Sequence, residues 1–112
     1  MAARQRLPYP NTVAAVLVEI GHGIRIARLR RRQTARDLAD RIDVSLPTLL
    51  KLERGDAGVS LGTFATALWV LNLLEPVRDA VSPERDRIAG ALAAMQAPKR
   101  ARRRKDPDLD RL

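Results

Sequence analysis

Apolar residues recur at helical spacing along most of the chain, beginning close to its N-terminus. Between residues 12 and 32 they return every three or four positions, as on one face of an α-helix. Gly21 and Gly23 weaken the middle of this stretch by about 1 kcal/mol each relative to Ala, so the pattern allows a helix start as late as Ile20. Residues 1–11, which contain two prolines, are expected to form a flexible arm.

Two short helices separated by a tight break are predicted in the centre of the chain. Thr34 and Asp37 form a capping box that starts the first of them. Asp43 lies at the break, where a left-handed residue is needed and Asp is tolerated. Ser45 caps the second helix, and Pro47 lies in its first turn, where the missing N–H is harmless. The side chains expected to be buried by this pair are Leu38, Ala39, Ile42, Val44, Leu49 and Leu52.

Three more helices are indicated after this pair. Gly55 is expected to end the third helix in the left-handed conformation, and Ser60 to cap a fourth that stops near Asn72. Pro76 opens a brief fifth helix, and residues 81–97 form a C-terminal helix. The predicted fold class is therefore all-α, with five to six helices. Phe64 and Trp69 are expected in the core or at an interface.

The third helix can be tested by rotating about 100° per residue. Leu49 and Leu52 then lie on one flank, while Leu46 and Lys51 lie on the other. A short helix with one buried and one bare flank, preceded by a second helix and a tight turn, is the geometry of a helix-turn-helix. We assign the helix-turn-helix to residues 34–54, within a domain over residues 12–80.

The charge of the chain favours a nucleic acid or an anionic surface as partner. The formal net charge is +8, but residues 1–98 hold 14 basic against 10 acidic side chains, so much of the excess lies in the tail. Residues 98–112 lack apolar periodicity and are predicted to be a disordered basic tail. Its basic side chains either contact phosphates or only solubilise the chain; they are Lys99, Arg100, Arg102, Arg103, Arg104 and Lys105.

The sequence lacks the residues that catalysis or metal binding would require. There is no cysteine, and the single histidine, His22, has no second ligand or nucleophile at a useful spacing. Paired catalytic carboxylates, a phosphate-binding glycine loop and a metal-ligand cluster are also missing. We therefore expect no enzyme, no cofactor and no metal. The sequence shows no export signal and no apolar run long enough for a bilayer, so a cytoplasmic protein without membrane contact is expected.

The central segment resembles a known family. Residues 34–55, TARDLADRIDVSLPTLLKLERG, look like the helix-turn-helix of the Xre family, the Cro and lambda-repressor type, and the resemblance extends over about residues 20–75. It implies a lambda-repressor-like fold, sequence-specific binding of double-stranded DNA, transcriptional repression and a homodimer. The sequence departs from the family pattern at Ala35, where Gln is usual, at Asp43, where Gly is usual, and in an apolar reading face.

The resemblance also implies roles for individual residues. Arg28 matches the first-helix arginine that pairs with the glutamate ending the recognition helix, here Glu53; the alternative is that both are ordinary surface residues. Base edges are read at the positions of Leu46, Pro47 and Lys51. Phosphate contacts are implied for Thr34, Arg36, Ser45, Thr48 and Arg54.

A narrower resemblance concerns the segment after the recognition helix. Residues 49–64, LLKLERGDAGVSLGTF, followed by a short last helix and PKRAR at 98–102, look like antitoxins of the HipB type. Such proteins repress their own operon and bind a HipA-type kinase toxin. Two alternatives stay open: a stand-alone, phage-like Xre repressor, and a helical protein-interaction module without specific DNA binding. The C-terminal helix is a candidate surface for the dimer or the partner, or packs back on the bundle.

Overall fold

The computed structural model describes residues 9–100, with the side chains of residues 9–96. This part of the chain is all-helical and contains no strand, which confirms the predicted class. Its helices are α1 (Asn11–Arg30), α2 (Ala35–Arg41), α3 (Leu46–Glu53), α4 (Leu61–Val70), α5 (Leu74–Ala80) and α6 (Arg87–Arg100). Across residues 9–100, no helix has the length and apolar character needed to cross a membrane.

The chain divides into two compact units, whose described parts are residues 9–75 and 76–100. In the first unit, α3 packs against both α1 and α2. The core between these helices and α4 is aliphatic, and Phe64 packs against it from a half-buried position. Its buried apolar residues are Ile24, Ala27, Leu38, Ala39, Ile42, Leu49, Leu52, Ala67, Leu68 and Leu71. The burial predicted for Leu38, Ala39, Ile42, Leu49 and Leu52 is thus confirmed, with Val44 half-buried beside them. Trp69 is exposed on the surface.

The first helix is longer than its glycines suggested. α1 begins at Asn11, directly after Pro10, and continues without interruption through Gly21 and Gly23. The late start at Ile20 is therefore wrong, and the arm predicted over residues 1–11 overlaps the helix; residues 1–8 lie outside the described part. The cost of a glycine in a helix is offset here because Gly21 is buried where α1 crosses α3.

The signals at the helix ends act as predicted. The backbone N–H of Asp37 donates to Thr34 Oγ1 at 3.0 Å, and the N–H of Thr34 donates to Asp37 Oδ2 at 3.0 Å, which completes the capping box. Asp43 has φ +59°, Gly55 +81° and Asn72 +64°. These left-handed residues end α2, α3 and α4, so that each following segment can reverse direction.

The second unit begins its long helix later than expected. Residues 81–86 form turns, in which the N–H of Arg85 donates to the carbonyl of Ser82 at 3.0 Å, and α6 begins only at Arg87. The Oδ1 atom of Asp86 accepts from the N–H of Ala89 at 3.4 Å, so Asp86 caps α6. The boundaries 81–97 are therefore corrected to 87–100. The helix overlaps the first residues of the predicted tail, whose remainder lies outside the described part.

Candidate nucleic-acid interface

The two flanks of α3 differ in exposure. Leu49 is 0% exposed and Leu52 5% exposed, because both side chains face the core formed with α1 and α2. On the opposite flank Pro47 and Lys51 are exposed, and Leu46 is half-buried. The three residues that the resemblance assigns to base reading therefore share the side of α3 that the first unit leaves accessible. Leu50, 38% exposed, lies beside them.

A buried ion pair joins the end of α3 to α1. The guanidinium of Arg28 donates from Nε to Glu53 Oε2 at 2.7 Å and from Nη2 to Oε1 at 3.0 Å, and both side chains are buried. The hydrogen bonds from Arg28 to Glu53 raise the pKa of the guanidinium above its ordinary value, against the opposing effect of burial. The pairing implied by the resemblance is confirmed.

The same guanidinium also reaches the segment before α2. Its Nη1 donates to the backbone carbonyl of Gln33 at 2.9 Å, one residue before the N-cap of α2. Arg28 therefore links three parts of the first unit through one planar group: α1, the entry to α2 and the end of α3. A planar guanidinium suits this role because its donors are fixed relative to each other. The tilt of α3 is thereby coupled to α1.

Three of the implied phosphate contacts are hydroxyls at the start of a helix, and they differ in what they can still donate. Thr34 and Ser45 are N-caps, and Thr48 is the third residue of α3. Ser45 Oγ accepts from the backbone N–H of Thr48 at 3.2 Å and donates to Thr48 Oγ1 at 3.0 Å. Its single hydroxyl hydrogen is thus engaged within the turn. Thr34 Oγ1 and Thr48 Oγ1 act only as acceptors in the described part of the chain, so each has a hydrogen left for a phosphate oxygen.

The basic side chains to which the resemblance assigns DNA contacts are exposed to solvent. Arg36, at the second position of α2, Lys51, in the last turn of α3, and Arg54, its C-cap, are all exposed. Asp37 lies beside Arg36, and its pKa is lowered because the backbone N–H of Thr34 stabilises the carboxylate. The carboxylate is thus committed to the capping box and stays ionised at neutral pH. Two of the basic residues predicted for the tail, Lys99 and Arg100, belong to α6, but their side chains are not described. The other four lie outside the described part: Arg102, Arg103, Arg104 and Lys105.

The structure reveals positioning residues that the periodicity did not single out. A β-carbon on Gly21 would lie 2.6 Å from the carbonyl oxygen of Glu53, so α1 and the end of α3 are in backbone contact. Arg31 donates from Nη1 to the carbonyl of Ala27 and from Nη2 to that of Leu71, each at 2.8 Å. Helical spacing cannot signal the contact of Gly21 with Glu53 or that of Arg31 with Leu71, because these partners are distant in sequence. In the sequence, the one sign of the close approach between α1 and α3 was the presence of Gly21 and Gly23 within a predicted helix.

The exposed flank of α3 has a restricted chemistry. Leu46, Pro47 and Leu50 offer only carbon atoms to a partner, whereas the ammonium of Lys51 can donate hydrogen bonds. Against the major groove, carbon surfaces fit thymine methyl groups, and a lysine fits the O6 and N7 acceptors of guanine. This exposed flank of α3 therefore suits a partner whose surface combines methyl groups with hydrogen-bond acceptors. The flank contains no nucleophile paired with a general base.

Residues 9–96 contain no cluster of three or more histidine, cysteine or acidic side chains that could hold a metal ion. Comparison of the chain with family models, with curated proteins and with solved structures finds no match.

Proposed function

We propose that the protein is a sequence-specific DNA-binding repressor with a lambda-repressor-like fold. The observation that supports this most directly is the division of α3 into a fully buried flank, Leu49 and Leu52, and an accessible flank with Lys51. A recognition helix needs both, because the buried flank fixes its tilt while the other enters the major groove. The buried Arg28–Glu53 pair supports the proposal further, since it holds α3 against α1.

In this proposal the accessible side chains divide into two tasks. Leu46, Pro47 and Lys51 contact base edges and select the sequence. The phosphate contacts set the register on the duplex and come from Thr34, Arg36, Thr48 and Arg54, with Ser45 acting through Thr48. We place the protein in the cytoplasm, because a repressor acts where the DNA that it binds is located.

We further propose that the repressor is the antitoxin of a pair with a HipA-type kinase toxin and regulates its own operon. An antitoxin needs a second surface for its partner, apart from the one that reads DNA. α6 supplies a candidate, because Ile88, Leu92 and Met95 recur at helical spacing and are all exposed. Exposed apolar stripes of this kind mark helix-in-groove contacts. Without such a partner, the same protein is a stand-alone, phage-like Xre repressor.

A second candidate function is favoured by the apolar reading face. Leu46, Pro47 and Leu50 present no hydrogen-bonding group, and protein partners commonly bind such carbon surfaces. Under this alternative the bundle is a helical protein-interaction module, and its affinity for DNA depends on charge alone. The two functions differ in one measurable property, the dependence of binding on base sequence.

The test is a binding-site selection from a random duplex pool, followed by competition between the selected site and its scrambled version. We expect the selected site to bind about 10³-fold or more tightly at physiological salt, as specific complexes do. Equal affinity for both duplexes contradicts the repressor and supports the interaction module. For the antitoxin proposal, co-expression with the product of an adjacent kinase-like gene should yield a stable complex; absence of such a gene leaves the stand-alone repressor.

A further inference from the structure

The accessible flank of α3 presents a patch of carbon atoms. Leu46 is half-buried, and Pro47 and Leu50 are exposed, so all three extend apolar surface outside the core. At about 100° per residue, Leu46, Leu50 and Pro47 fall within an arc of about 100°. Lys51 lies about 40° further round the helix. We call these three side chains the apolar patch; it lies beside a single ammonium group.

Charged and hydrogen-bonding groups surround the apolar patch. Lys51 is at its edge, and Arg54 is the exposed C-cap of α3. In the described part of the chain, Thr48 Oγ1 acts only as an acceptor, so its own hydrogen can be donated to a partner. The one acidic side chain among residues 46–54, Glu53, is buried in its ion pair. An apolar centre bordered by cations and free donors is complementary to a major groove, in which phosphates border the base edges.

The apolar patch lacks the groups that read most bases. Adenine is typically read by Asn or Gln, and cytosine by Asp or Glu. The patch and Lys51 include neither an amide nor a carboxylate. The 5-methyl group of thymine is the apolar group that a base presents in the major groove, and contact with it requires only a carbon surface. Discrimination by the patch must therefore depend on this methyl group.

We propose that α3 recognises 5-methylpyrimidines in double-stranded DNA and that Leu50 is a further specificity-determining residue. The inference rests on the proposed function, since it names the base chemistry that the reading face selects. Pro47 and Lys51 are four residues apart, or about 6 Å along the helix, and stacked base pairs are about 3.4 Å apart. The methyl groups contacted by the patch and a guanine contacted by Lys51 therefore belong to neighbouring base pairs.

Recognition of the methyl group makes binding sensitive to base methylation. 5-Methylcytosine carries its methyl group at the same ring position as thymine, but it presents the N4 amino group where thymine presents O4. The apolar patch forms no hydrogen bond with either group, so it does not distinguish them. A cytosine methylated at C5 therefore replaces a contacted thymine, whereas unmodified cytosine does not.

The test uses the full-length protein and the duplex selected from a random pool. Each thymine of the site is replaced in turn by uracil, which removes one methyl group and preserves the base pair. Affinity should fall about fourfold at each contacted position, the factor that corresponds to one buried methylene. At the same positions, a pair of 5-methylcytosine with guanine should bind about fourfold more tightly than the unmodified pair. Fluorescence anisotropy gives each affinity.

Three substitutions assign the effect to Leu50. Leu50→Ala should abolish the response to uracil at one or more positions. Leu29→Ala is the matched control, because it removes a leucine that is 45% exposed on α1, and it should leave every response unchanged. Leu50→Met keeps a flexible carbon surface and should restore the response. Circular dichroism confirms that each variant is folded, and the wild-type measurements need no variant.

The outcomes separate the inference from the proposed function. The inference is overturned if no uracil weakens binding to the selected site, if 5-methylcytosine binds like cytosine, or if Leu50→Ala responds like the wild type. Loss of the response in Leu29→Ala also overturns it. In each of these cases the selected site is still preferred to its scrambled version, so the proposed function stands. If selection enriches no duplex, the proposed function fails and the inference fails with it.

Discussion

Gly21 and Gly55 lie in direct backbone contact where α1 crosses the end of α3. A β-carbon built on Gly21 would be 2.6 Å from the backbone nitrogen of Gly55, closer than real β-carbons approach another atom. On the other side, a β-carbon on Gly55 would collide with the backbone of Leu17, and the φ of Gly55 is +81°. Both glycines allow the crossing because they have no side chain. Gly55 also adopts a left-handed conformation that other residues rarely take.

The first prediction uses the neighbouring glycine as a control. Gly21→Ala should lower the free energy of unfolding by about 2 kcal/mol or more, because the new methyl group meets backbone atoms that cannot rotate away. Gly23→Ala should raise it by about 0.5–1 kcal/mol, since no atom lies within 4 Å of that position and alanine favours the helix. Urea denaturation of the three proteins measures both changes. Equal effects of the two substitutions would contradict the proposed contact.

The second prediction concerns the buried ion pair. Removing either partner, as in Arg28→Met or Glu53→Leu, should cost about 3–5 kcal/mol, because the other charge is left buried without its partner. The double substitution should cost clearly less than the sum of the two single ones. A double-mutant cycle from denaturation midpoints gives the coupling. Strict additivity would show that the two side chains do not stabilise each other.

The third prediction is a dependence on pH that comes from the capping box. The N–H of Thr34 lowers the pKa of Asp37 in the folded state, so the carboxylate stabilises the fold at neutral pH. This contribution is fully present above the ordinary pKa of an aspartate, about 3.9, and is lost as the pH falls through the lowered folded value. The stability advantage of the wild type over Asp37→Asn should therefore shrink between pH 7 and pH 3.

Asp40→Asn, on the same helix but outside the capping box, controls for general charge effects in that experiment. Thermal or urea unfolding at several pH values gives the comparison. A difference between wild type and Asp37→Asn that is the same at pH 7 and pH 3 would mean that the carboxylate charge has no part in the cap.

The local signals in the sequence predicted the ends of α2 and α3 well. Thr34, Asp43, Ser45 and Gly55 act through their own backbone or through atoms three residues away. Such interactions are visible in a short window of sequence. The buried flank of α3 was equally predictable, because helical spacing places Leu49 with Leu52 whatever the rest of the chain does.

Contacts between distant segments were not predictable in the same way. Gly21 was interpreted as a weak point of α1, although it is the site of closest approach to α3, because helix propensity contains no information on packing. The start of α6 was misplaced for a local reason: the prediction near residue 81 relied on a serine followed by a proline at 82–83, a common helix start, whereas Asp86 provides the cap. The Arg28–Glu53 pair came from the family resemblance alone; periodicity does not join residues 25 positions apart.

The fourth prediction separates base reading from phosphate binding. Lys51→Ala should weaken binding to the selected site by about 1–3 kcal/mol and change binding to scrambled DNA little, if the ammonium contacts a base. Arg36→Ala should weaken both by similar factors and reduce the salt slope by about 1. Fluorescence anisotropy at several salt concentrations measures the affinities of the wild type and of both variants for both duplexes. If Lys51→Ala leaves the preference for the selected site intact, the assignment of the reading face is wrong.

The fifth prediction concerns the basic residues from position 99 onward. A chain ending at Gln96 lacks Lys99, Arg100, Arg102, Arg103, Arg104 and Lys105. If these residues bind phosphates, each lost contact should flatten the slope of log affinity against log salt by about 0.9. The preference for the selected over the scrambled duplex should not change. An unaltered slope would assign these residues a solubilising role only.

Arg31 has a consequence for how the first unit opens. Its guanidinium donates hydrogen bonds to the carbonyl of Ala27, at the C-terminal end of α1, and to the carbonyl of Leu71, just after α4. Carbonyl groups at helix C-termini have no partner within their own helix. Because a single side chain serves both, we expect fraying of one end to weaken the hydrogen bond at the other. Amide exchange in these last turns should therefore follow one shared opening equilibrium, and Arg31→Ala should split it into two independent ones.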